Sequence, residues 1–104
     1  MSWNDGRHAL ACVLAIGVAS ADALAQTEPR FLLACAPCHG FDGIGYDSAT
    51  PNLAGQSRDY LRSQLMAFRS GARRHPLMNF FSGQMTEEEM AQIIDYYTRL
   101  PAPK

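Results

Sequence analysis

Residues 35–40 read Cys35-Ala36-Pro37-Cys38-His39-Gly40. Two thiols three residues apart, followed at once by an imidazole, form the attachment signature for a c-type haem. The chemistry sets the spacing. Each thiol adds to one vinyl group of the porphyrin and makes a thioether bond, and the next residue then lies over the iron, where a ring nitrogen can ligate it. Two other chemistries use paired cysteines. A thiol–disulfide redox pair sits at a helix N-terminus within a βαβ unit; here the helical residues precede the cysteines and no βαβ pattern is present. A zinc site wants a second ligand pair at knuckle spacing, and His8 and His75 do not supply one. The implied cofactor is one haem c, bound covalently through Cys35 and Cys38 with His39 on the iron.

An iron held by one histidine has a second axial position, which in a soluble electron carrier is filled by methionine or a further histidine. The candidates are Met66, Met78, Met85, Met90 and His75. Buried methionines are commonly core filler. Met66 lies off the apolar face of its helix. Met90 belongs to the stripe of the last helix, where core packing accounts for it. Met85 precedes Thr86 and has the position of an apolar staple. Met78 lies in an irregular stretch after Pro76, from which a sulfur can reach across a haem face. Met78 therefore ranks first, Met85 next and His75 last.

Three helices position these groups. The first runs from about Pro29 to the cysteine motif, with Thr27 as cap, Glu28 at the positive end of the dipole and Pro29 in the first turn. Residues 40–56 carry four glycines and Pro51 and read as a long loop. A loop of that length in a small domain needs an organiser, and a haem edge would serve. Within it, Thr50-Pro51-Asn52-Leu53 is either an ordinary turn or the segment whose backbone carbonyl orients the His39 ring. Ser57 opens a second helix. Tyr60, Leu61, Gln64, Leu65 and Phe68 mark its apolar face, and Gly71 closes it. Residues 72–85 read as irregular. A capping box, Thr86-Glu87-Glu88-Glu89, starts the last helix. Met90, Ile93, Ile94 and Tyr97 form its stripe and Leu100-Pro101 ends it. The fold class is all-α, with long loops and no strand signal.

The chain has 104 residues, enough for one domain. Residues 1–25 have the layout of a secretory signal. Arg7 and His8 form the basic start, Ala9 to Val18 the apolar centre and Ala23-Leu24-Ala25 the cleavage site. The apolar run is too short to span a membrane. Ala9-Leu10-Ala11-Cys12 looks like a lipoprotein box, but it precedes most of the apolar centre, so lipidation is excluded. The domain is then residues 26–104, at a size where a hydrophobic core is marginal and a covalent cofactor completes it. Cys12 leaves with the leader, so Cys35 and Cys38 are the domain's two cysteines. Losing Arg7, Asp5 and Asp22 leaves equal numbers of acidic and basic side chains. Whole-chain charge thus favours neither nucleic acid nor lipid as a partner. Arg69, Arg73 and Arg74 form a local basic cluster, a candidate docking patch or counterion for haem propionates; a solvated helix end is the simpler reading.

Over residues 28–101 the sequence resembles the bacterial class I cytochromes c, small monohaem proteins also found as halves of dihaem cytochromes and as the haem subunit of flavocytochrome c sulfide dehydrogenases. The haem site matches at residues 35–40. Pro51-Asn52-Leu53-Ala54-Gly55-Gln56 resembles the family's proximal loop, and the resemblance implies that the Pro51 carbonyl bonds His39. Met78 falls at the axial methionine. Tyr96-Tyr97 resembles the aromatic pair of the last helix and implies that Tyr96 meets Phe31 where the first and last helices cross. Thr27 stands where the family often has glycine, and Phe80-Phe81 is bulkier than usual. The implied function is one-electron transfer in the periplasm with His39/Met78 ligation. Redox proteins are the expected partners: a membrane oxidase, a reductase complex or a flavoprotein dehydrogenase. A haem subunit bound tightly to such a dehydrogenase is the second expectation, and a haem-free thiol oxidoreductase a distant third.

Overall fold

Ser57 and Thr86 each precede a run with helical periodicity, and each acts as the expected cap. In the computed structural model the Ser57 side chain accepts the Tyr60 N–H, and the Thr86 side chain accepts the Glu89 N–H while Glu89 reaches back to the Thr86 N–H. The structure describes Gly17 and residues 28–104. The leader assigned to residues 1–25, and Thr27, fall outside that range apart from Gly17. The described residues form four helices: α1, Leu32–His39; α2, Arg58–Ser70; α3, Pro76–Gln84; and α4, Glu87–Arg99. No strand occurs among them, in keeping with the all-α reading.

Two boundaries differ from the sequence reading. Helix α1 begins at Leu32, not Pro29. The Leu32 N–H bonds the Pro29 carbonyl at 3.0 Å, so residues 29–31 form a tight i→i+3 turn ahead of the helix. The helix also continues through Pro37 to His39. Proline removes the donor that would meet the carbonyl of Leu33. Leu33 itself is 73% exposed, so the lost bond lies on the solvent side of the helix. The second difference is α3. The stretch read as irregular contains a nine-residue helix with Pro76 in its first turn, where a missing N–H is harmless.

The core is built on α4. Met90, Ile93, Ile94 and Tyr97 are all buried, as the stripe implied, and they pack with Leu32, Ala36, Leu61 and Met85. Each fully buried Leu, Ile or Met side chain stabilises by roughly 1.5–3 kcal/mol relative to exposure. Met66 packs against this core from α2. Both α3 and α4 lie against α2. Ion pairs Arg58–Asp95 at 2.9 Å and Arg62–Glu87 at 3.0 Å join α2 to α4 in antiparallel register.

The loop between α1 and α2 is organised by the chain itself. Asp47 accepts the N–H groups of Ala49 and Thr50, Asp42 accepts that of Ile44, and Asn52 accepts that of Gly45. Helix α4 then pins both ends of the loop. The Tyr97 hydroxyl donates to the Gly40 carbonyl at 3.0 Å, the Tyr96 hydroxyl to that of Phe41 at 2.6 Å, and the Thr98 hydroxyl to that of Gln56 at 2.6 Å. Gly43 is obligatory: its φ is +75°, and a Cβ there would lie 2.8 Å from the backbone of Ala54. Phe31 and Tyr96 both pack against the core, and the Tyr96 ring stands edge-on to Tyr97, with centroids 5.1 Å apart.

Candidate haem-binding site

The imidazole of His39 sits at the C-terminal end of α1, where the chain turns at Gly40 (φ +78°). Its ring is buried, and Nδ1 donates to the Pro51 carbonyl at 2.9 Å. That bond assigns the proton to Nδ1 and leaves Nε2 as a free lone pair. Burial lowers the pKa of His39, and the bond to Pro51 opposes this in part. The neutral imidazole is the form that ligates a metal. The carbonyl of the proximal loop thus stands where the resemblance implied.

His39 faces a cavity of about 460 Å³, within the range of clefts that hold organic cofactors. Every helix contributes to its wall. Helix α1 supplies Cys35 and Cys38 beside His39. The proximal loop supplies Thr50, Pro51 and Leu53. Helix α2 supplies its apolar face, Leu61, Leu65 and Phe68, with Tyr60 and Gln64. Helix α3 supplies Leu77, Met78 and Phe81, and α4 supplies Ile93, Ile94 and Tyr97. Phe81 turns to the cavity while Phe80 is 59% exposed, and the two rings meet edge-on.

Both cysteines are free thiols. Cys35 is the fourth of the eight residues of α1 and Cys38 the seventh, so Cys38 lies toward the negative end of the helix dipole. Burial pushes the Cys35 thiol up to about 11, and Cys38 adds to the effect. A disulfide oxidoreductase needs the opposite, a thiolate stabilised at neutral pH. Two free thiols on the wall of a largely apolar cavity, Cys35 held neutral by burial, suit addition to a porphyrin instead.

The structure narrows the second-ligand candidates. Met90 is fully buried in the core and Met66 packs against it; neither lines the cavity. Met78, Met85 and His75 all do. The His75 ring is committed as the N-cap of α3, with Nδ1 accepting the Met78 N–H at 3.4 Å. Met85 is 5% exposed and, like Met90, belongs to the core cluster, which fits the staple reading. Met78 is half-buried in the first turn of α3.

The basic cluster separates into two kinds of residue. Arg69 is used internally, bonded to the carbonyls of Ser82 and Met85 and to the Glu87 carboxylate. Arg73 and Arg74 line the cavity. Arg73 also bonds Gln64 at 2.7 Å and lies 4.6 Å from the centroid of the Phe68 ring. The roles of Arg69 and of Asn79, whose amide bonds three backbone groups, had no local signal in the sequence. Apart from the Glu87 carboxylate, their partners are backbone carbonyls and one backbone N–H, groups that carry no residue-specific pattern.

The donor set is therefore two free thiols, an oriented imidazole and a thioether around one largely apolar cavity, and it fits a covalently tethered haem. Comparison with known proteins agrees. The family model described as Cytochrome c matches residues 23–100. The thiosulfate dehydrogenase electron acceptor of Stutzerimonas stutzeri is 43% identical over 72 residues, which are 68% of this chain and 33% of that protein. The chain thus spans about a third of that relative. Cytochrome c-554(548) of Halomonas halodenitrificans is 40% identical over 67 residues, 62% of this chain and 81% of that protein. The cytochrome subunit of sulfide dehydrogenase of Chlorobaculum tepidum is 35% identical over 68 residues, 65% of this chain and 61% of that protein. By the motif, the fold and these matches, the chain belongs to the cytochrome c family, whose cofactor is a covalently bound c-type haem with its iron.

Proposed function

We propose that the protein is a one-electron carrier in which Cys35 and Cys38 tether the haem, His39 and Met78 are the axial ligands, and Pro51 orients His39. When bound, the haem supplies an iron that cycles between ferrous and ferric states. The chain's contribution is to hold two ligands in place through that cycle. The buried His39 ring, bonded to Pro51 at 2.9 Å on the wall of a cavity that Cys35, Cys38 and Met78 also line, carries this reading. The Pro51 carbonyl keeps Nε2 free and fixes the ring plane. Met78 is favoured over Met85 because Met85 is committed to the core, and over His75 because that ring caps α3. The apolar faces of α2 and α4 exclude water. With both axial positions filled by protein, no site is left for substrate, so the chain is a carrier and not itself an enzyme.

Residues 1–25 fit a secretory signal and so favour the periplasm. Among the described residues no helix is long and apolar enough to cross a membrane. The names of the relatives favour a dehydrogenase of reduced sulfur compounds as the redox partner. A haem subunit held tightly by such an enzyme is the second reading, supported by the sulfide dehydrogenase relative. Purification from the native periplasm tests both. Elution alone, with a reversible one-electron redox titration, supports the free carrier. Co-elution with a flavin-containing subunit at fixed stoichiometry supports the second reading. Absence of covalent haem bands contradicts both.

A further inference from the structure

Helix α3 carries Met78 yet has little of its own to hold it. It has nine residues, its cap is an imidazole, and neither its first nor its last turn carries a charge that complements the dipole. Helices this short are marginal in isolation. Two side chains supply what its ends lack. At the front, the Asn79 amide donates to the Phe68 carbonyl at 2.7 Å and to that of Arg73 at 2.9 Å, while its oxygen accepts the His75 N–H at 2.9 Å. That uses both donors and the acceptor of the side chain, and it joins the end of α2, the connecting loop and the start of α3. At the rear, the Arg69 guanidinium from α2 donates to the carbonyls of Ser82 and Met85 and to the Glu87 carboxylate. Those carbonyls are among the orphans of a helix C-terminus, and α3 has no other side chain there to satisfy them. Arg69 is three-quarters buried while making these bonds.

We infer that Arg69 and Asn79 are positioning residues that clamp α3 at its two ends and so set where the Met78 sulfur lies in the cavity. The inference rests on Met78 being the second axial ligand. If α3 shifts, the sulfur withdraws and an external ligand can enter. The apparent affinity for that ligand rises with the fraction of molecules in the open form.

The test is a titration of the ferric holoprotein with imidazole, read as a shift of the Soret band. Arg69→Met and Asn79→Leu each raise the apparent imidazole affinity roughly tenfold, the effect of losing at least one well-made or charge-assisted hydrogen bond from the closed form. Arg69→Lys, which keeps the charge without the fork, gives an intermediate increase and carries the test if Arg69→Met does not accumulate. Arg62→Met is the control. Arg62 pairs with the same Glu87 carboxylate from the same helix, and its loss leaves the affinity within about twofold, as expected for an exposed ion pair. The inference is overturned if Arg69→Met and Asn79→Leu stay within that range, or if Arg62→Met matches them. Met78→Ala separates the two layers. Its sulfur-to-iron charge-transfer band disappears and adding Arg69→Met brings no further gain; if the band survives Met78→Ala, the ligand reading fails and the clamp inference falls with it.

Discussion

The hydroxyl of Tyr97 offers the sharpest test of how the fold secures the haem-binding turn. The residue is 1% exposed, and its O–H donates to the carbonyl of Gly40, the residue after His39. Burial pushes its phenol well above the ordinary range, so it stays a donor at any pH the protein meets. Tyr97→Phe keeps the ring in the core and removes the donor. The Gly40 carbonyl then retains only the longer bond from the Gly43 N–H, at 3.3 Å. A neutral hydrogen bond contributes about 0.5–1.5 kcal/mol net, and a buried acceptor left unpaired costs about 1–3 kcal/mol. With partial compensation from Gly43, the expected loss is about 1–2 kcal/mol. Guanidinium denaturation of the holoprotein, followed by far-ultraviolet circular dichroism, measures it. Tyr96→Phe is the internal comparison, because its hydroxyl bonds the Phe41 carbonyl in an exposed setting where water can replace it; its cost is about 0.5 kcal/mol or less. The reasoning is refuted if Tyr96→Phe costs as much as Tyr97→Phe, or if Tyr97→Phe is silent.

Two further predictions concern backbone and charge. Gly43→Ala costs more than Gly71→Ala in the same denaturation assay. Both positions have positive φ, worth about 1 kcal/mol against alanine, but a Cβ at Gly43 also meets Ala54 at 2.8 Å whereas Gly71 faces open space; equal costs would contradict the close approach. Glu87 is held below the usual carboxylate range, first by its bond to Arg62 and that residue's charge, then by Arg69. A depressed folded-state pKa stabilises above the unfolded value of about 4.5 and loses that stabilisation as pH falls through the folded pKa. Glu87→Gln is therefore less stable than the parent at neutral pH, and the gap closes as pH falls below the unfolded value and through the lowered pKa of Glu87. A gap independent of pH would show that the charge is not its source.

The parts of this molecule that could be read from sequence are those encoded locally. The residue 35–40 motif, the Ser57 cap, the Thr86 capping box and the stripe of α4 each need only a few neighbouring residues. Helix α3 was illegible because its support is remote. Arg69 lies 13 residues before Ser82, whose carbonyl it caps, and an imidazole at the N-cap is not among the residues that mark helix starts. The loop at 40–56 was expected to need a haem edge, yet Tyr96 and Tyr97 reach it from 55 and 57 residues away. Helix α1 runs through Pro37, where proline ordinarily ends or kinks a helix, so its end was set by contacts that no spacing rule reports.

The central claim is that His39 and Met78 close the two faces of one covalently held iron. Absorption of the ferric holoprotein in the region of the sulfur-to-iron charge-transfer band tests it most directly, in the parent, Met78→Ala and Met85→Ala. The account predicts a band in the parent that is lost in Met78→Ala and kept in Met85→Ala; a band lost in Met85→Ala and kept in Met78→Ala contradicts it.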